Sequence, residues 1–222
     1  MVLGSGGREH ALAAKFKKSP HVEVVYVCPG SDGMRDVAQV VPIGLSDHQG
    51  LIQFAQQAEV DLVVVGPEDA LAEGIVDAFE SAGLRVFGPS KKAAQLESYK
   101  SFAKEIMREA NIPTADYAVF TSYEQALIYL EQHDYPVVLK ASGLAAGKGV
   151  SIVSSFDEAK RELHAMMIDQ KFSDAAREVV IESYLEGEEF SYLSLVYQEG
   201  VIPLQIAQDH KRAFDGDQGL NT

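Results

Sequence analysis

The 222-residue sequence lacks the features that mark several whole classes of protein. Its one cysteine, Cys28, excludes an internal disulfide framework and leads us to expect a reducing, cytoplasmic setting. No apolar run approaches the roughly 18 residues needed to cross a bilayer. The opening Met1-Val2-Leu3-Gly4-Ser5-Gly6-Gly7-Arg8 has neither the charged start nor the long apolar stretch of a signal peptide. Basic residues are scarce, with 19 Lys and Arg against 33 Asp and Glu, for a net charge of −14. Such a surface repels phosphate backbones and anionic lipid, so neither nucleic acid nor membrane is expected as a partner. The deficit is uneven: residues 1–111 carry 11 basic and 15 acidic side chains, residues 112–222 carry 8 and 18. An anionic ligand held by the second half therefore needs a few well-placed lysines, or a metal ion as mediator. The six histidines have no metal-pair spacing and no cysteine joins them, so no zinc site is expected. There is no Gly-x-Ser-x-Gly elbow, no internal repeat and no low-complexity tract.

What the sequence does have is a core. At 46% hydrophobic and 23% charged it reads as a soluble globular protein. Through the first ninety or so residues, apolar runs of strand length alternate with amphipathic stretches of helix length. Val2-Leu3 is a short strand and Arg8 to Lys18 a helix. Val22 to Cys28 is a strand, and a helix follows Asp47 as N-cap. Val60 to Val65 is the continuous apolar run of a strand buried on both faces of a parallel sheet. A helix over about Leu71 to Ala82 and a strand over Leu84 to Phe87 follow. This repetition predicts a doubly wound α/β domain. A long helix over about Lys91 to Ala110 leads to a boundary near Pro113.

A second α/β unit is expected beyond that boundary. Tyr117 to Phe120, Pro136 to Lys140, Gly149 to Ser154, Glu178 to Ser183, Glu189 to Tyr197 and Val201 to Ala207 read as strands. Thr121-Ser122-Tyr123-Glu124 and Ser155-Phe156-Asp157-Glu158 read as capping boxes opening two helices. Asp209 to Thr222 is expected to hold neither helix nor strand.

Three motifs carry chemistry. Gly4-Ser5-Gly6-Gly7-Arg8-Glu9 follows a strand and opens a helix, where free N–H groups and the positive helix end favour a phosphate. Glu9 stands where a dinucleotide fingerprint needs its third glycine. NAD is thereby disfavoured, while a single phosphate clamped by Arg8 and a purely structural turn both remain open. Gly143-Leu144-Ala145-Ala146-Gly147-Lys148-Gly149 resembles a P-loop but is one residue short, and Gly149 replaces the Ser or Thr that would hold magnesium. It joins two strands, so a glycine hairpin folding over phosphates suits it better than a P-loop; a plain hairpin tip is the alternative. Lys140, closing the preceding strand, would point inward to neutralise those phosphates. The third is the acidic segment Ile181 to Glu189, which reads mostly as a solvated turn, except for a carboxylate held beside sugar hydroxyls.

In this order the motifs resemble one family, the phosphoribosylamine–glycine ligases (glycinamide ribonucleotide synthetases) of the ATP-grasp superfamily. The resemblance rests on Gly-Gly-Arg-Glu-His-Ala-Leu, Val-Gly-Pro-Glu, Phe-Gly-Pro-Ser, Gly-Leu-Ala-Ala-Gly-Lys-Gly-Val and Gln-Asp-His-Lys-Arg, and it runs from Leu3 to Thr222. It implies an α/β chain with a Rossmann-like N-terminal substrate domain over 1–97. An incomplete ATP-grasp domain would occupy 98–222, with a lid subdomain at about 115–188. The implied substrates are ATP, glycine and 5-phosphoribosylamine. The implied metal is Mg²⁺ or Mn²⁺, with its ligands expected beyond residue 222 and none within this chain. No side chain is expected to act as a general base. Position by position, the resemblance assigns ATP to Lys100, Lys140, Gly147, Lys148, Gly149, Glu182, Tyr184, Leu185 and Glu189. It assigns the other substrates to Gly6, Gly7, Arg8, Glu9, Pro67, Glu68, Asp209, Lys211 and Asn221. The sequence departs from the family pattern at Ser142 and Leu220, and the family continues for about as many residues again, so a fragment is expected. Another ATP-grasp carboxylate–amine ligase and a non-catalytic nucleotide-binding module are the competing readings.

Overall fold

The structure, a computed structural model, describes residues 1–145, 148–198, 200–208, 212–216 and 218–221. The chain forms two compact units, Met1–Tyr184 and Leu185–Thr222.

The first unit contains two sheets. In the first of them β1 (Val2–Gly4), β2 (Tyr26–Pro29), β3 (Gln39–Val40), β4 (Val63–Val65) and β5 (Val86–Phe87) run parallel in the order β3-β2-β1-β4-β5. Successive residues feed opposite faces, as the pleat requires. Val2 and Val27 pack with Ala13 and Met34, while Leu3 and Cys28 pack with Leu51, Ile75 and Phe79. Both faces are buried, which explains the unbroken apolar run at β4. From β1 the chain winds outward to β2 and β3, then restarts at β4 on the other side of β1. By the general rule for doubly wound sheets, such a reversal marks the ligand crevice beyond the carboxyl ends of β1 and β4.

The helices of this half are α1 (Gly7–Lys17), α2 (His48–Gln57), α3 (Glu68–Glu73), α4 (Ile75–Ser81) and α5 (Lys91–Ser98); α6 (Lys100–Glu109) follows. Two expected single helices are each broken. The one expected over 71–82 starts earlier and is interrupted at Gly74, whose left-handed backbone (φ 94°) ends α3 and starts α4. The one expected over 91–110 is interrupted at Tyr99, which is extended (φ −135°, ψ 105°). There the Lys100 N–H donates to the Ser142 carbonyl at 2.8 Å, and the Ser101 N–H to Ser142 Oγ at 3.1 Å. Acceptors from a residue just past the end of a distant strand thus take donors that a continuous helix would bond internally.

The second sheet, β6 (Tyr117–Phe120), β7 (Val137–Ala141), β8 (Val150–Val153) and β9 (Val179–Ser183), is antiparallel in the order β6-β9-β7-β8. Helices α7 (Tyr123–Glu131) and α8 (Phe156–Met167) cover one face, burying Leu130, Leu139, Leu163, Met166 and Ile181. The cap of α7 is Ser122, one residue after the expected Thr121: its Oγ accepts the Gln125 N–H at 3.3 Å and donates to Glu124 Oε2 at 2.8 Å, so the expected box does not form. At α8, Ser155 accepts the Glu158 N–H, and Glu158 accepts the Ser154 N–H at 2.8 Å.

In the second unit β10 (Ser194–Tyr197) and β11 (Gly200–Pro203) form a hairpin extended by a bridge between Ser191 and Ala207. Both strands are shorter than expected. The segment after Asp209, expected to be irregular, holds an antiparallel pair, β12 (Arg212–Phe214) and β13 (Gln218–Asn221), joined through Asp215-Gly216. Asp-Gly between short strands is itself a hairpin signal that the sequence reading passed over. Among the described residues no helix is long and apolar enough to cross a membrane.

Candidate functional site

Two clusters of polar side chains lie in the first unit. The first is at the crevice of the parallel sheet. The Gly4–Gly7 turn leaves the end of β1 and the Gly66-Pro67-Glu68 turn leaves the end of the adjacent β4, so residues about sixty positions apart meet. Arg8 bridges them: its Nη2 donates to Glu68 Oε2 at 3.0 Å and its Nε to Glu9 Oε1 at 3.1 Å. Both carboxylates push the Arg8 guanidinium above its ordinary pKa, Glu68 foremost. Glu68 is held below the usual carboxylate range, first by its own backbone N–H and then by Arg8. The Arg8 side chain is 61% exposed, so it is anchored yet reachable by an anion.

Glu9 plays a different part. It is 3% exposed, and its Oε2 accepts the Gly6 N–H at 2.7 Å, closing the first turn of α1 from within. One of the donors a pyrophosphate would use is therefore already taken. Gly66 makes room for this carboxylate: a Cβ there would lie 2.2 Å from Glu9 Oε1. Gly6, Gly7, Arg8, Glu9, Pro67 and Glu68 thus share one place.

The second cluster is on the antiparallel sheet. Leu139 and Ile181 face the core, so their neighbours Lys140 and Glu182 face the other way. Val138 pairs with Glu182 and Lys140 with Val180, which makes Lys140 and Glu182 diagonal neighbours on adjacent strands. The Lys140 ammonium donates to Glu182 Oε2 at 2.8 Å. Lys104 from α6 reaches the same oxygen at 3.3 Å. Glu182 is 5% exposed and Lys104 7%, so a buried carboxylate sits between two cations. The other oxygen, Glu182 Oε1, is buried and has no hydrogen-bond partner among the described residues. A buried acceptor left open in this way suits an N–H or O–H donor from a ligand.

Beside this cluster the Lys100 ammonium donates to the Gly143 carbonyl at 3.2 Å. Burial lowers its pKa most, and Lys140 adds repulsion, while Glu97 and Glu182 pull the other way. The segment 142–149 leaves the end of β7 here. Gly143 donates to the Ala175 carbonyl and the Ala141 N–H closes on the Gly149 carbonyl. Lys148 is exposed and Gly149 buried. Ser101, Ser142 and Glu178 tie the base of this loop to α6, with Ser101 Oγ donating to Glu178 at 2.6 Å and lying 2.9 Å from Ser142 Oγ. Lys140 therefore meets a carboxylate before any phosphate.

Lys104, Ser101 and Glu178 escaped the sequence reading. A signal for Lys104 was present, because Lys100 and Lys104 are four apart and so lie on one helix face. Tyr184 ends the first unit and is exposed. Leu185 and Glu189 belong to the second unit, and Asn221 is on β13, in register with Arg212. Gly147, Asp209 and Lys211 lie outside the described residues. Among the described residues no three His, Cys, Asp or Glu side chains gather as metal ligands would.

Two family models match the chain end to end. The phosphoribosylglycinamide synthetase N domain matches residues 1–97, and the phosphoribosylglycinamide synthetase ATP-grasp (A) domain matches residues 98–222. A phosphoribosylamine–glycine ligase of Halalkalibacterium halodurans is 55% identical over 222 residues, covering 100% of this chain and 52% of that protein. The Listeria innocua enzyme of the same name is 52% identical, with 100% and 53% covered. The chain spans about half the length of the curated relatives it matches. Among solved structures, the phosphoribosylamine–glycine ligase of Thermotoga maritima superposes with a TM-score of 0.83 at 31% identity, covering 100% of this chain and 52% of that one. The N5-carboxyaminoimidazole ribonucleotide synthetase of Thermus thermophilus shares the fold alone, with a TM-score of 0.66 at 20% identity over 92% of this chain and 52% of that one.

Proposed function

This chain belongs to the phosphoribosylglycinamide synthetase family, and from that premise we propose that it is part of an ATP-dependent ligase joining glycine to 5-phosphoribosylamine. In the first step a glycine carboxylate oxygen attacks the γ-phosphorus of ATP, forming glycyl phosphate and releasing ADP. In the second, the amine of phosphoribosylamine attacks the glycyl carbonyl carbon and loses a proton, and phosphate departs, leaving glycinamide ribonucleotide. Phosphoryl transfer asks a protein for alignment and charge stabilisation more than for covalent chemistry, so no residue here is assigned as a general base.

Residues 1–97 serve in this reading as the substrate domain, with Gly6, Gly7, Arg8, Pro67 and Glu68 at the phosphoribosylamine and Glu9 bracing their turn. Residues 98–222 serve as the ATP-grasp portion, with a lid over about 115–188. Lys100 and Lys140 meet ATP phosphates. Gly147, Lys148 and Gly149 close over them. Glu182, Tyr184 and Leu185 line the adenine, and Glu189 takes the ribose. Asp209, Lys211 and Asn221 belong to the substrate wall. Mg²⁺ or Mn²⁺ accompanies ATP, and no described residue is assigned to it.

The observation that supports this reading best is the open acceptor Glu182 Oε1 beside Lys140, at the root of a glycine loop and next to Lys100. It combines a hydrogen-bond acceptor with cations, as an amine-bearing polyanion requires. The test is phosphate release by the full-length gene product with Mg-ATP. Release should require glycine and phosphoribosylamine together; turnover indifferent to either one refutes the reading.

A further inference from the structure

Lys104 and Lys140 share one carboxylate oxygen but are held in very different ways. The Lys104 ammonium donates to Thr114 Oγ1 at 2.6 Å and to the Ala115 carbonyl at 3.5 Å, and it forms an ion pair with Glu182 Oε2 at 3.3 Å. The Tyr117 ring lies 5.4 Å away on its flank. Two hydrogen bonds and an ion pair hold the ammonium, and the side chain is enclosed. Lys140 makes a single hydrogen bond among the described residues, to Glu182 Oε2, and its side chain is 27% exposed. One cation is fixed; the other is tethered at a single point on a flexible stem.

An ionised carboxylate as enclosed as Glu182 must keep a counter-ion, because an unpaired buried charge is strongly unfavourable. If Lys140 were its only partner, drawing that ammonium onto a phosphate would strand the carboxylate. With Lys104 in place it does not. We propose that Lys104 is a positioning residue for nucleotide binding: as the resident counter-ion of Glu182, it frees Lys140 to transfer its ammonium from that carboxylate to a ligand phosphate. This rests on the reading of Lys140 as a phosphate ligand. It adds that the affinity of that site is set by a buried lysine that touches no part of the nucleotide.

The test is a calorimetric titration of Mg-ATP into the full-length gene product with four proteins: wild type, Lys104→Met, Glu182→Gln and the double variant. Methionine keeps the unbranched stem and removes the charge, leaving Lys140 bound to Glu182. Lys104→Met should raise the Kd for ATP by about tenfold or more. In the Glu182→Gln background, where no charge remains to neutralise, the same change should alter Kd by less than about threefold. A structural role for Lys104 would weaken binding equally in both backgrounds, and that result overturns the proposal, as does an unchanged Kd for Lys104→Met. Should Lys104→Met fail to fold, lysine Cε resonances of the wild type titrated with Mg-ADP decide. The Lys140 signal should move while that of Lys104 stays; a Lys104 signal moving equally refutes the hand-over. Failure of the wild type to bind ATP removes the underlying reading as well, whereas tight binding insensitive to Lys104→Met removes only this inference.

Discussion

Replacing Gly66 by alanine tests how the crevice of the parallel sheet is built. The new Cβ would lie 2.2 Å from Glu9 Oε1, 2.4 Å from its Cγ and 2.6 Å from its Cδ. Contact distance is restored only if that side chain retreats by about 1 Å. Glu9 is not free to do so, because it is buried and holds the Gly6 N–H at 2.7 Å and Arg8 at 3.1 Å. Overpacking of this kind costs about 1–3 kcal/mol, and losing the bond to a helix-end N–H costs about 1 kcal/mol more. We therefore expect Gly66→Ala to destabilise by about 2–4 kcal/mol in urea unfolding followed by circular dichroism. Glu9→Ala alone should cost about 1–2 kcal/mol, through the abandoned Gly6 donor. Combining the two should not add the costs, because the Glu9 atoms that clash with the new methyl group are gone. The double variant should be more stable than additivity predicts by about 1–3 kcal/mol. Additivity within about 0.5 kcal/mol, or a Gly66→Ala protein as stable as wild type, would refute the role given to Glu9.

Arg8→Ala in the full-length gene product should raise KM for phosphoribosylamine and leave that for ATP nearly unchanged, since Arg8 sits at the crevice and Lys140 on the other sheet. Equal effects on both constants count against that division. Lys140→Ala should weaken ATP binding by about 10- to 100-fold, the loss expected from one charge-assisted contact of about 1.5–3 kcal/mol. Calorimetry giving an unchanged Kd sinks the assignment. Cys28 is fully buried, and burial pushes its thiol from an ordinary 9.0 up to about 11. The unfolded chain loses this proton first, so the stability the neutral thiol contributes is complete below about pH 9 and is lost as pH rises through about 11. The loss amounts to about 3 kcal/mol at most. Cys28→Ala should flatten that part of the stability profile, and an unchanged slope between pH 9 and 11 would exclude the thiol as its cause.

Local pattern carried the architecture. The apolar run ending at Val65 announced a strand with two buried faces. The order of strands and helices announced a doubly wound sheet, and the capping box at Ser155 announced the start of α8. Each of these depends on chemistry within a few residues of itself, so each was legible in the sequence. The glycine turn at Gly4–Gly7 was legible as a turn, and motif order carried the family. Only the tertiary structure decided where the polar side chains turn. The break at Tyr99 exists because Ser142, more than forty positions away, offers acceptors to Lys100 and Ser101. Glu9 points inward because the backbone at Gly66 leaves it room and the Gly6 N–H needs an acceptor. Lys140 lies on Glu182 rather than in open space, because the register of β7 and β9 makes them diagonal neighbours on the face away from the core. Lys104 joins them from a helix that the sequence read simply as long. A charge in a linear sequence has no neighbour until folding provides one, and in the low dielectric of this interior the neighbour determines what the charge can do.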